Sequence, residues 1–336
     1  MAQNSREKVK NLFDGKPADR PPFIPWICRF AANLEQVPVR TMLTDAGVLS
    51  RALSNAHKLF GYDAILNHFD LSLEAEACGC EIEWQDNGTS PSLLTHPLEN
   101  GGFLSDLDTA DITTKGRIPV MLDATKRLIL TRGKEVPVAA MVTGPLSLAR
   151  RLRGTSFDDD LEQGDGDALD LVEDSGSICL AMCRAYCELG VDIVVLAEDT
   201  PEQVTFDISQ ALSSPLRSIT NVAGYYNVKT VLLCKLWNEE QLAPVFGMAV
   251  DAFAISGSVE NGLIREQADS HNSCVSLPVP DYVFLGAGPP SADLAREISG
   301  PGVKGLFLSS EWEVPASTDV NSMHDIMKTV RDGNGS

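Results

Sequence analysis

The chain has 336 residues, 43% of them hydrophobic, enough to bury one large α/β barrel or the cores of two domains of ordinary size. A formal charge of −20 and an isoelectric point near 4.6 argue against a polyanion partner such as nucleic acid. No uncharged apolar segment reaches the ~20 residues of a membrane span, and MAQNSREKVKN lacks the apolar centre of a signal peptide, so a cytoplasmic protein is expected.

Ser5 is placed to cap a first helix, Arg6 to Phe13, which Asp14-Gly15 ends. After a proline-stiffened connection, Phe23 to Trp26 reads as a first strand, followed by Cys28 and Arg29. Thr44 to Leu59 has helical apolar spacing. Gly61-Tyr62-Asp63 is a turn signal, and Ala64-Ile65-Leu66 has the size of a buried parallel strand. That run ends in Asn67, His68 and Asp70, the order in which a barrel strand delivers chemistry at its carboxyl end.

Glu81 to Trp84 and Ser92 to Thr95, around Asp86-Asn87-Gly88, read as a hairpin that interrupts the strand–helix alternation. The expectation is one barrel domain over residues 1–336, with an insertion at about 74–117. Ile118 to Leu130 looks helical; Val136 to Val142 is the third strand and ends in Thr143-Gly144-Pro145, before a basic helix with Arg150, Arg151 and Arg153. Ser156 to Asp167, rich in acids, reads as a solvated loop. Asp170 to Leu189 is a helix stopped by Gly190, with Cys179, Cys183 and Cys187 on one face, read as packing. Eight cysteines are too sparse for a disulfide scaffold, and the Cys78-Gly79-Cys80 pair is read as structural.

Asp192 to Ala197 is the fourth strand and ends in Glu198-Asp199, two carboxylates of which one can serve as a general base or acid if its neighbour raises its pKa. Pro201 to Tyr226 should contain helix; Lys229 to Leu233 is the fifth strand, ending at Cys234. Glu239 to Ala249 is a helix, Asp251 to Ser256 the sixth strand, Tyr282 to Leu285 the seventh, and Ser291 to Ile298 a helix. Lys304 to Leu308 is the eighth strand, leading to Glu311 and Trp312, and a tail helix runs from about Val320 to Val330. Eight apolar runs separated by helices predict a parallel α/β fold, either a (β/α)8 TIM barrel or, nearly as well, a doubly wound sheet, and no GxGxxG or P-loop follows the first strand. Trp237 and Trp312 are candidates for an apolar wall, and Asp70 with Arg29 for either a ligand contact or an ion pair closing the mouth.

Several segments resemble the uroporphyrinogen decarboxylase superfamily, which includes the methylcobamide:coenzyme M methyltransferases. They are REKVKNLFDGKPADRPP, WICRFA, FGYDAI with Phe69-Asp70, Thr143-Gly144-Pro145 through Gly154, and the tail VPASTDVNSMHDIMKTV. The resemblance implies a (β/α)8 fold. It sets Arg29 at a substrate-carboxylate arginine and Asp70 at the aspartate that gathers pyrrole NH groups. Asn33 replaces a second arginine, Arg151 stands near a tyrosine and Trp312 near a late histidine. The methyltransferase branch binds zinc through H-x-C after the fifth strand and a cysteine after the eighth; here Cys234 alone remains, so no metal ligands are assigned. His271 and Cys274 in SHNSC are too few for a second zinc site.

The implied function is methyl transfer with an altered or absent zinc site and a corrinoid carried by a partner protein. The alternatives are uroporphyrinogen decarboxylation and a ligand-binding barrel without chemistry. The expected catalytic residues are Asp70, Arg29 and Glu198; Asn67, His68, Arg151, Asp199, Cys234, Glu311 and Trp312 are expected to bind substrate, and Arg29, Asp70, Glu198, Cys234 and Glu311 to line one cavity.

Overall fold

The computed structural model describes residues 3–85, 88–199, 206–290, 294 and 304–332. Its strands are β1 (Ile65–Leu66), β2 (Ile82–Glu83), β3 (Ser92–Leu93), β4 (Val138–Thr143), β5 (Ile193–Glu198), β6 (Lys229–Leu236), β7 (Ala252–Gly257), β8 (Cys274–Val279) and β9 (Leu306–Ser310). Seven of them form one parallel sheet in the order β1-β4-β5-β6-β7-β8-β9. The runs Val138–Thr143 and Ile193–Glu198 are buried at every position, because strands covered on both faces have no solvent side.

The first expected strand closes the ring. Phe23 and Trp26 bridge in parallel to Leu308 and Glu313, the Ile24 amide donates to the Leu308 carbonyl at 2.8 Å, and the Asp63 amide donates to the Phe23 carbonyl at 2.7 Å. The sheet therefore curls into a TIM-type barrel with residues 22–26 as its eighth stave. Helices such as Ala46–Phe60, Ile118–Arg132, Gly166–Leu189 and Phe206–Tyr225 alternate with the strands. On Gly166–Leu189, Cys179, Cys183 and Cys187 are all buried, and Gly190 ends the helix in the left-handed region at φ 89°. No helix among the described residues is long and apolar enough to cross a membrane.

Several expectations need correction. Tyr282 to Leu285 is not the seventh strand: Asp281–Phe284 is a short helix, and the seventh strand of the barrel is β8. Its sequence, CVSLPV, sets Cys274, Ser276 and Pro278 between larger aliphatic residues, and the turn His271-Asn272-Ser273 hides its start. Cys274 is thus a strand residue, and His271 caps a helix. The fifth strand does not end at Cys234 but continues to Leu236. The acidic segment after Ser156 folds as a helix, Phe157–Glu162, because Phe157 and Leu161 reach the core. Asn4, not Ser5, caps the first helix, and the Ser5 hydroxyl goes to Asp63 instead. Glu239 to Ala249 divides into a 3-10 turn and the short helix Leu242–Phe246. The helix expected at Ser291 to Ile298 and the turn residues Asp86-Asn87 lie outside the described residues, apart from Leu294. The hairpin exists as two antiparallel residue pairs, Ile82 with Leu93 and Glu83 with Ser92.

Candidate active site at the barrel mouth

Asp70 lies just beyond β1, buried. One carboxylate oxygen accepts from the Ser72 amide (2.9 Å) and hydroxyl (2.7 Å); the other receives the Arg117 guanidinium at 2.6 Å. Burial pushes the carboxyl up, but Arg117 and Ser72 outweigh it and hold Asp70 below the usual carboxylate range, hence ionised. Arg29 is not its partner. The Arg29 guanidinium and amide both go to Glu313, the amide at 2.6 Å, so the alternative of an Asp70–Arg29 ion pair across the mouth gives way to two separate pairs. Burial pushes Glu313 up to about 7 against the pull of Arg29.

Glu198 ends β5 and is buried. Its two oxygens accept from the Leu146 and Ser147 amides (3.1 and 2.8 Å), the first turn of the helix Pro145–Arg153. These are amides that a helix start leaves unpaired. Burial, not Asp199, pushes Glu198 to about 7. Gly144 makes the contact possible: a Cβ there would stand 2.2 Å from the Glu198 carboxyl carbon. Gly154 ends the same helix at φ 81° with the His96 ring packed on it, while His96 Nδ1 meets the Arg151 carbonyl at 2.6 Å.

A cavity of about 770 Å3 opens here. Phe69 and Trp312 form a corner of it, ring centroids 5.3 Å apart and planes at 77°. Arg29, Asp70 and Glu313 line one side, Arg150, Arg151 and Asp199 another, and Pro91, Ser92 and Leu93 of the hairpin a third. Arg150 is held directly by Asp158, whereas Arg151 stands 3.8 Å from the Asp199 carboxylate and donates to the Ser147 carbonyl. Arg151 is therefore the lining arginine least neutralised by a carboxylate contact.

Of the five residues expected to line one cavity, Arg29 and Asp70 do, whereas Glu198, Cys234 and Glu311 do not; of the other expected substrate residues Arg151, Asp199 and Trp312 line it, and Asn67 and His68 do not. Cys234 faces Glu198 in register one strand over, buried, and burial pushes its thiol to about 12. Asn67 serves the core, donating to Thr125 (2.9 Å) and accepting from the Met141 amide (3.0 Å). His68 is buried on Asn67 at 2.8 Å, and burial pushes it down to about 4, leaving a neutral ring. Glu311 lies beside Asp281. Trp237 is half-exposed and is not part of the lining, so Phe69, not Trp237, completes the wall with Trp312.

Sequence reasoning missed Arg117, Glu313, Arg150 and His96. Arg117 precedes an apolar helix and Glu313 follows Trp312, positions without a motif; only the strand-end location of Glu313 was a usable signal.

Zinc fits these residues poorly. Cys234 is a buried mid-strand thiol, and among the described residues no three His, Cys, Asp or Glu side chains converge as a metal-binding group.

The ring of strands and the charged carboxyl-end cavity define a (β/α)8 barrel with an active-site-type mouth. The chain belongs to the uroporphyrinogen decarboxylase (URO-D) family, whose pattern matches residues 4–273. It is 27% identical over 282 residues to the methylcobamide:CoM methyltransferase MtbA of Methanosarcina mazei, covering 79% of this chain and 82% of that one. It is 27% identical over 258 residues to the methylcobamide:CoM methyltransferase MtaA of Methanosarcina barkeri, covering 68% and 69%. Among solved structures, a methyltransferase from Methanosarcina mazei superposes with a TM-score of 0.80 over 98% of both chains at 20% identity, which shows the shared fold.

Proposed function

We propose that the chain is a corrinoid-linked methyltransferase of the cytoplasm, a single barrel domain with residues 74–117 as an insertion. It takes a methyl group from a methylcobamide carried by a separate corrinoid protein and passes it to a thiol with an anionic tail. The observation that carries this reading is the likeness to MtbA over 79% of the chain. The methylcobamide supplies an electrophilic methyl group. Arg151, the least neutralised arginine of the cavity, holds the anionic tail. Glu313, near 7 and on the cavity wall, takes the proton from the thiol, so that sulfur accepts the methyl group as a thiolate without a zinc ion. Asp70 and Arg29 form the charged floor. Glu198 holds the helix that carries Arg150 and Arg151.

Against decarboxylation, Asn33 lies outside the cavity and its amide goes to the Ala316 carbonyl at 2.9 Å, so this position supplies no cation in place of the arginine. The test is anaerobic incubation with methylcobalamin and coenzyme M, followed by the loss of methylcobalamin absorbance. Turnover is expected. Arg151→Ala should raise KM for coenzyme M by roughly tenfold to a hundredfold with kcat largely kept, the effect of one lost charge-assisted contact. No demethylation, or conversion of uroporphyrinogen to coproporphyrinogen that disappears in Asp70→Ala, would overturn the reading.

A further inference from the structure

We infer that Arg117 is a positioning residue for the reaction proposed above: through Trp84 it couples the hairpin that walls the cavity to the Asp70 carboxylate on its floor. Among the described residues the hairpin has two residue pairs, too few to hold a shape alone, so its placement depends on what it leans against. Its return arm supplies Pro91, Ser92 and Leu93 to the cavity, and its outgoing arm carries Trp84 next to β2. The Trp84 ring meets two guanidinium groups, Arg117 at 5.1 Å from the centroid and Arg40 at 5.9 Å.

Arg117 is buried, and two of its side-chain partners, Asp70 and Ser72, line the cavity. Its Nη1 donates to Asp70 (2.6 Å), its Nη2 to the Ser72 hydroxyl (3.1 Å) and its Nε to Glu76 (2.7 Å). A guanidinium has one rigid plane. Fixing its edge on Asp70, Ser72 and Glu76 fixes the orientation of its face toward Trp84, and a shift of Trp84 must tilt the edge. The same Ser72 hydroxyl donates to Asp70, so the tilt reaches both carboxylate oxygens. Arg117 does not line the cavity; it acts on the ligand only through Asp70 and the hairpin.

The test is hydrogen–deuterium exchange on the full chain, wild type against Trp84→Leu and Arg117→Lys, combined with the methylcobalamin–coenzyme M assay. Trp84→Leu leaves every partner of Asp70 in place. It should nevertheless speed exchange both in the hairpin arms and at residues 70–72 by about tenfold, the size of one desolvated cation–π contact, with the barrel strands unchanged. Arg117→Lys keeps a cation for Asp70 but loses the plane. It should loosen the hairpin to the same degree and lower kcat/KM, whereas Arg40→Lys, at the second guanidinium on the ring, should leave residues 70–72 protected. Faster exchange confined to the hairpin in Trp84→Leu, or no change in either segment, would overturn the coupling. Exchange needs no substrate, so absent methyl transfer by the wild type would strike the functional reading alone.

Discussion

Gly144 shows how a single residue is held by a partner distant in sequence. Its φ of −69° suits any amino acid, so the constraint is not conformational. It is the Glu198 carboxyl, which would lie 2.2 Å from an added Cβ. Gly144→Ala should therefore lower stability by about 1–3 kcal/mol, as overpacking of a filled site does. Removing the obstacle in Gly144→Ala/Glu198→Ala should give a loss smaller than the sum of the two single losses. Urea denaturation of the three variants measures this; additive losses would show that the crowding is not with Glu198. The same residue scale explains which site residues were legible. Asp70, Arg29 and Trp312 sit where a strand end announces itself, and they do line the cavity. Glu198 and Cys234 also follow strand patterns, but a register that sets them beneath the mouth cannot be read from the order of residues.

At the scale of elements, the helix Leu73–Ala77 is docked on the barrel by a buried acid. The Glu74 carboxylate accepts from the Thr143 hydroxyl at 2.6 Å and from the Thr143 amide at 3.3 Å. Burial pushes it from 4.5 up to about 7, against the pull of those bonds. The folded chain thus binds a proton at Glu74 that the unfolded chain releases near 4.5. Its contribution is fully present below 4.5 and is lost as pH rises through 7. Glu74→Gln removes this titration. Its stability relative to wild type should improve by on the order of 3 kcal/mol between pH 4.5 and 8. Denaturant midpoints of both proteins across that range measure it, and parallel curves would mean that Glu74 stays ionised. The seventh strand is the element the sequence concealed. CVSLPV places Ser276 and Pro278 inside a buried strand, where the Ser309 hydroxyl finds that of Ser276 at 3.1 Å. Polar residues satisfied by a neighbouring strand look, in a sequence, like a loop.

For the whole molecule, the loss of the zinc ligand pattern has a direct consequence. The purified protein should carry less than stoichiometric zinc after dialysis, and elemental analysis checks it. About one zinc per chain, lost on Cys234→Ala, would show that the thiol is a ligand in spite of its burial. By itself the sequence determined a parallel α/β fold, because hydrophobic runs of a length suited to buried strands, separated by helices, must be covered on both faces; its motifs resembling the decarboxylase superfamily then pointed to the barrel. The tertiary structure alone decided the pairing of charges at the mouth. Asp70 with Arg117, Arg29 with Glu313 and Trp84 with two arginines join residues 33 to 284 positions apart, and such partners are chosen by the packing of the closed barrel, which also brings the first and last strands side by side. A charge buried on folding needs a counter-charge or hydrogen-bond donors close by, and several arginines and carboxylates in this chain could have served; only the packed ring determines which of them arrive.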